Sequence, residues 1–75
     1  MRASGGVRPS PPADLSPDEV EVLAWFARGF TTERIARTLG VSERTVRRRL
    51  RAAADALGSH TTVEAVVCAV RRGLI

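Results

Sequence analysis

The sequence predicts an all-α fold of four helices behind a disordered N-terminal arm. Apolar residues recur at helical spacing from position 15 onward, Ser or Thr precedes each predicted helix, and glycine follows each one. At 75 residues, with 44% apolar residues, the chain has room for one small domain with a thin core. A second domain does not fit.

Residues 1–14 are rich in glycine and proline and have little to bury, which predicts disorder. This segment is interpreted as an interdomain linker, and a basic arm that brings Arg2 and Arg8 to phosphates is the alternative. The folded domain is expected to occupy residues 15–75. Both a complete small protein and an excised domain are compatible with these residues, and Met1 only slightly favours the first.

The first predicted helix begins after Ser16 and ends near Ala27 or Arg28, before Gly29. Ser16 and Glu19 have the spacing of a capping box, with proline at the first helical position. Its apolar side comprises Val22, Leu23, Trp25 and Phe26. A domain this small usually buries its only tryptophan, so Trp25 is assigned to the core and not to a ligand site.

A short second helix is expected to be capped by Thr31 or Thr32 and to end at Gly40. Because the next helix begins at Ser42, only about three residues separate the two, which is the connection of a helix-turn-helix. Ala36 is expected to be small where the helices cross, and Gly40 can adopt the left-handed conformation that a sharp turn requires.

The third predicted helix, residues 42–57, carries the densest positive charge. Its inward stripe comprises Val46, Leu50, Ala53 and Leu57. The opposite face carries Arg44, Arg47, Arg48 and Arg51, with Arg49 on its flank. These guanidinium groups repel one another, so a nucleic acid would stabilise this face. A solvated arginine-rich face is the alternative.

The last predicted helix, residues 62–72, begins with a second capping box of Thr61 and Glu64 and is apolar around most of its circumference. One side is expected to pack on the core: Val63, Val66, Val67 and Val70. A second copy of the helix is expected on the other side, so the predicted dimer interface comprises Ala65, Cys68, Ala69 and Arg72. The alternative is an alanine-bearing surface without a partner.

Charge and composition narrow the functional classes. The net charge is +4, yet four acidic residues and no basic one lie between positions 14 and 27, which suggests an oriented face for an acidic partner. A single cysteine cannot form an intramolecular disulfide, which fits a reducing cytoplasm. Neither an export signal nor an apolar run long enough to span a membrane is present.

The chain contains few residues from which a catalytic site could be built, because it has one His, one Cys, no Tyr and no glycine-rich phosphate loop. We predict no enzyme activity, no cofactor, no metal site and no small-molecule ligand. His60 is interpreted as a loop residue, with a phosphate contact as the alternative. RNA binding is disfavoured because no aromatic residue lies among the arginines of the third helix.

The whole set of motifs from residue 15 to 75 resembles the LuxR-type helix-turn-helix domain, the C-terminal DNA-binding module of many bacterial transcription regulators. The resemblance is carried by Leu15-Ser16 with Glu19, Glu21-Val22-Leu23, Gly29, Thr31, Ile35-Ala36, Leu39, Val41-Ser42, Thr45-Val46, Leu50, Leu57-Gly58, Glu64-Ala65-Val66 and Gly73-Leu74-Ile75. Phe30, Arg48-Arg49, Ser59 and Thr62 depart from the usual pattern.

The resemblance implies a recognition helix in the major groove, with the last helix mediating dimerisation on DNA. Residues expected to face bases are Arg47, Arg48 and Arg51. Residues expected to meet phosphates are Arg44, Thr45 and Arg49, to which we add Thr31 and Thr32. Because Arg48 and Arg49 make the helix more basic than most, nonspecific phosphate binding could rival base reading.

The expected function is therefore sequence-specific binding of double-stranded DNA in transcription regulation, by a homodimer in the cytoplasm at the nucleoid. RNA polymerase is a further expected partner. The rival interpretation is a protein-interaction module that binds RNA polymerase or another regulator through the acidic first helix or the apolar last helix, without base reading.

Overall fold

The computed structural model describes residues 15–75, so the predicted disorder of residues 1–14 lies outside the described residues. Four helices form the domain: α1 (Pro17–Ala27), α2 (Thr32–Leu39), α3 (Glu43–Ala56) and α4 (Thr62–Arg71). The described part of the chain contains no strand. The predicted all-α, four-helix fold is confirmed.

Helix α1 begins with the predicted capping box. The Ser16 hydroxyl accepts a hydrogen bond from the Glu19 amide, and the Glu19 carboxylate accepts one from the Ser16 amide, both at 3.1 Å. These bonds satisfy two amides that the helix itself leaves without partners. Replacing such a capping serine by alanine costs about 1 kcal/mol of stability.

The connection between α2 and α3 is a tight turn at Gly40. Of the two candidate caps for α2, Thr31 is the one used, since its hydroxyl accepts a hydrogen bond from the Arg34 amide at 3.1 Å. Gly40 adopts the left-handed conformation, at φ 71° and ψ 32°. The Val41 amide donates back to the Ala36 carbonyl at 3.0 Å, so the chain reverses before Ser42 caps α3. The predicted helix-turn-helix connection is present.

The core lies where α1, α2 and α4 all pack against α3, which contacts each of them. Its fully buried side chains of largest volume are Leu23, Ile35, Val22 and Val46. Each such residue contributes about 1.5–3 kcal/mol by leaving water. Trp25 and Phe26 are only half-buried and pack on the margin of this cluster. Trp25 therefore packs against the core as predicted, but its side chain is not fully buried.

The predicted orientation of α4 is wrong. Ala65 and Ala69 are fully buried, whereas Val63, Val67 and Val70 are 65%, 46% and 56% exposed. Helix α4 packs against both α1 and α3, and small side chains allow its backbone to approach them closely. Ala65 and Ala69 therefore belong to the core of one chain, and the prediction that they form a dimer interface is wrong.

The start of α4 also differs from the prediction. The Thr61 hydroxyl accepts from the Glu64 amide at 3.1 Å as expected, but the Glu64 carboxylate accepts from the His60 amide at 2.9 Å instead of the Thr61 amide. Thr61 has φ −133°, against −72° at Ser16, which rotates its amide away from the carboxylate. The capping box is therefore replaced by a bond that holds the preceding loop.

Among residues 15–75, none of the helices is both long and apolar enough to cross a lipid bilayer. Nor do His, Cys, Asp and Glu side chains in this part of the chain come together in a group of three or more that could hold a metal ion.

Candidate nucleic-acid interface

Helix α3 separates its apolar and basic residues onto opposite sides. The predicted inward stripe of Val46, Leu50, Ala53 and Leu57 is buried. On the other side Arg44, Arg47, Arg48 and Arg51 are exposed and, with Glu43, line one shallow depression. We call these four arginines the arginine face. Their placement is as predicted, and no group within residues 15–75 buries or neutralises all four of them.

Glu43, in the first turn of α3, is a structural link that the sequence did not reveal. Its Oε2 atom accepts a hydrogen bond from the Thr32 hydroxyl and another from the Arg47 guanidinium, both at 2.7 Å. These bonds connect the arginine face to the start of α2. The Thr32 proton is thereby used within the protein, which disfavours the predicted phosphate contact of Thr32.

Two other hydroxyl groups remain suited to phosphate contact. Thr45 Oγ1 accepts a hydrogen bond from Ser42 Oγ at 3.0 Å, and exposed Thr31 accepts from the Arg34 amide. Both hydroxyls act as acceptors in these bonds, so each keeps its own proton for donation to a phosphate oxygen. The predicted roles of Thr31 and Thr45 are compatible with this geometry.

Arg49 stands apart from the arginine face. Its Nη2 atom lies 3.5 Å from Asp18 Oδ2 on α1, and its side chain is only 24% exposed. An arginine on the flank of α3 thus links two helices of the core. This pairing favours a structural role for Arg49 over the predicted phosphate contact.

A second group of arginines is engaged with aromatic rings. The Arg28 guanidinium carbon lies 5.2 Å from the centroid of the Trp25 ring, and that of Arg34 lies 4.2 Å from the Phe30 ring. The two rings are themselves 4.6 Å apart. Such cation–π contacts contribute about 0.5–1 kcal/mol at exposed sites. These arginines therefore have stabilising contacts with aromatic rings.

The short α2, the tight turn at Gly40 and the arginine face on α3 together form a helix-turn-helix with a basic second helix. The family model described as bacterial regulatory proteins, luxR family, matches residues 13–69. The chain belongs to the LuxR family. This family comprises DNA-binding transcription regulators and is not an enzyme class, so membership supports DNA binding in transcription regulation.

Two relatives of the chain are regulators by name. The chain is 43% identical over 61 residues to the transcriptional regulatory protein YdfI of Bacillus subtilis, covering 81% of the chain and 29% of YdfI. It is 41% identical over 61 residues to the HTH-type transcriptional activator RamA of Corynebacterium glutamicum, covering 81% of the chain and 22% of RamA. The chain therefore matches less than a third of the length of either protein.

Part of a solved structure has a similar fold. The response regulator ChrA of a heme-sensing two-component system aligns with a TM-score of 0.78 and 30% sequence identity. The alignment covers 88% of this chain and 33% of the ChrA chain. The fold assignment thus rests on both sequence and structure.

Proposed function

We propose that the chain binds double-stranded DNA sequence-specifically in bacterial transcription control, with α3 in the major groove. The observation that carries this proposal is the arginine face: four exposed guanidinium groups on one side of a helix whose other side forms the core. The major groove of B-DNA admits an α-helix, and arginine is the side chain that most often reads its bases.

Arg47, Arg48 and Arg51 are proposed to contact base edges. The planar guanidinium fork can donate two hydrogen bonds to guanine O6 and N7, and each good pair contributes about 1–3 kcal/mol of discrimination. Arg44, Thr45 and Thr31 are proposed to contact phosphates, which position the domain and release counterions. Binding of this kind places the protein in the cytoplasm, at the nucleoid.

The chain is proposed to form a homodimer on DNA through the outer side of α4. The predicted alanines are buried, but Val63 and Val67 remain exposed and line a depression together with Cys68 and Arg72. We call these four residues the α4 outer face. Two α4 helices packed across it would bury four valine side chains. A two-fold dimer requires half-sites about one helical turn, or a multiple of it, apart.

The test is selection of duplexes from a randomised pool by the purified chain, with binding of the selected sequence measured at two salt concentrations. An enriched motif with inverted half-sites supports a dimeric base-reading regulator. Binding without enrichment, lost steeply with salt, means that α3 recognises only phosphate. Absence of binding turns the assignment toward a protein partner such as RNA polymerase, with the exposed valines of α4 as its contact.

A triple variant separates base reading from bulk charge. Replacing Arg47, Arg48 and Arg51 by alanine is expected to abolish binding to the selected duplex. The matched control replaces Arg28, at the C-cap of α1, together with Arg34 and Arg37 of α2, which removes the same charge from a different part of the domain. Equal loss of binding in both triples would contradict a specific role for the arginine face.

A further inference from the structure

We propose that Glu43 is a positioning residue for base recognition: it sets the direction in which Arg47 presents its guanidinium to DNA, and Thr32 anchors it to α2. The proposal deepens the function proposed above and rests on it. It assigns to an acidic residue and a threonine a role in sequence specificity, exerted through Arg47.

The geometry shows that a single carboxylate oxygen serves both neighbours. Glu43 Oε2 lies 2.7 Å from Arg47 Nη2 and 2.7 Å from Thr32 Oγ1. The Arg47 distance is at the short end for a charged pair, and the Thr32 distance is within the range for a hydroxyl that donates to a carboxylate. Glu43 and Arg47 are one turn apart on α3, whereas Thr32 lies eleven residues before Glu43 on α2. The orientation of Arg47 is therefore set by two helices and not by α3 alone.

The chain contains an internal comparison for this arrangement. Glu33 and Arg37 have the same spacing and also begin in the first turn of a helix, but their charged atoms are 3.8 Å apart. Both of those side chains are over 70% exposed, whereas Glu43 is 39% exposed. The contact at Glu43 is thus closer, more sheltered and shared with a third residue, which distinguishes it from an ordinary surface ion pair.

A carboxylate on a surface that binds a polyanion is unfavourable for affinity, because it repels phosphates. The proposed benefit of the Glu43 carboxylate is better discrimination between base sequences. An arginine held in one direction loses less rotational freedom on binding and cannot turn toward a base that offers the wrong acceptors. Specificity is a difference between affinities. A group that lowers nonspecific binding and also orients a base-reading side chain therefore increases specificity in two ways.

The experiment measures binding of the full chain and its Glu43→Gln variant to the selected duplex, to the same duplex with the Arg47-contacted base pair changed, and to a random duplex. Glutamine keeps the size of the side chain but removes its charge. We expect the random duplex to be bound more tightly and the ratio of specific to nonspecific affinity to fall roughly tenfold. Glu33→Gln is the matched control and is expected to leave the ratio unchanged.

Two further variants connect the effect to Arg47 and to α2. Thr32→Val removes the hydroxyl at nearly constant shape and is expected to give part of the loss, while Thr32→Ser restores the wild-type ratio. In an Arg47→Ala background, Glu43→Gln is expected to change the preference at the Arg47-contacted base pair no further, because that effect passes through Arg47. The loss of charge is still expected to raise the affinity for every duplex. Additive losses would overturn the proposal and indicate instead that Glu43 contacts a base directly.

The free protein offers a readout that does not depend on DNA. Relaxation of the Arg47 side-chain Nε by NMR is expected to show greater motion in Glu43→Gln than in wild type, with no change at Arg37. A wild-type chain that prefers no sequence would overturn the proposed function and this inference together. A wild-type preference that Glu43→Gln leaves intact would overturn this inference alone.

Discussion

Arg49, in the middle of α3, reaches Asp18 in the first turn of α1, with Nη2 and Oδ2 3.5 Å apart. The Arg49 side chain is less exposed than that of Arg47, which is 65% exposed. The pair joins the helix that carries the arginine face to the first helix of the domain. It therefore helps to determine which side of α3 faces outward.

Loss of this pair is expected to affect stability modestly. Asp18→Asn should lower the free energy of unfolding by less than about 1 kcal/mol, because the Asp18 side chain is 64% exposed and solvent screens the attraction. Arg49→Ala should cost more, since it also removes the packing of the partly buried stem. Urea denaturation measures both, with Glu21→Gln on the same helix as the control. An equal effect of Glu21→Gln would contradict a specific pair.

Gly40 is expected to be the most sensitive position of the turn. At φ 71° an L-amino acid side chain is strained, so Gly40→Ala should destabilise the fold by about 1–2 kcal/mol. A Cβ built at this position meets no other atom within 4 Å, so the effect comes from the backbone alone. Gly40→Asn should cost less, because asparagine tolerates this conformation better. Thermal unfolding of the two variants tests the order.

The corrected orientation of α4 predicts opposite responses at adjacent positions. Ala69→Leu should destabilise the monomer by about 1–3 kcal/mol, because the added atoms have no space in the core. Val70→Ala, at an exposed site, should change stability by no more than about 0.5 kcal/mol. Chemical denaturation at a protein concentration too low for dimerisation provides the measurement. Reversed sensitivities would restore the original assignment of the helix faces.

Dimerisation through the α4 outer face is tested at Val67, which is 46% exposed. Val67→Glu is expected to leave the helical content unchanged and to abolish cooperative binding to paired half-sites, while binding to a single half-site persists. Val67→Lys should have the same effect on cooperativity, which excludes repulsion between the new charge and DNA as the cause. Titrations of duplexes with one and two half-sites distinguish these outcomes.

The salt dependence of DNA affinity should distinguish the arginines that contact phosphates from those that contact bases. Arg44→Ala is expected to weaken binding to all sequences and to reduce the slope of log affinity against log salt by about 1. Arg48→Ala or Arg51→Ala is expected instead to relax preference at one base pair. Binding of wild-type and singly changed duplexes across a salt series measures both effects. A uniform response at Arg48 and Arg51 would reassign them to phosphate contact.

The helix boundaries could be predicted because their causes are local. Ser16 with Glu19, the Ser42 cap and the left-handed Gly40 act through neighbouring residues, and the structure has all of them. The inward side of α3 could be predicted as well, because its apolar stripe has no competitor on the arginine side.

The faces of α4 could not be predicted in the same way. This helix is apolar on two sides, so helical periodicity alone is compatible with either orientation. Ranking the sides by hydrophobicity favours the valines, but the close approach of α4 to α1 and α3 selects Ala65 and Ala69. The hydrogen bond from Thr32 to Glu43 could not be predicted either, because it depends on the geometry of the turn between α2 and α3.

Helix α3 carries its core residues and its arginine face on opposite sides, and the capping Ser42 and the stripe from Val46 to Leu57 account for its folding. Arg48 and Arg51 are exposed and lie outside the core, so descendants of this sequence can acquire new operators there without first acquiring compensating mutations in the scaffold. Arg47 is the exception, because a change there leaves Glu43 without its partner. Divergence of operator preference is therefore expected to be rapid at these two positions and to proceed at Arg47 only through paired replacement.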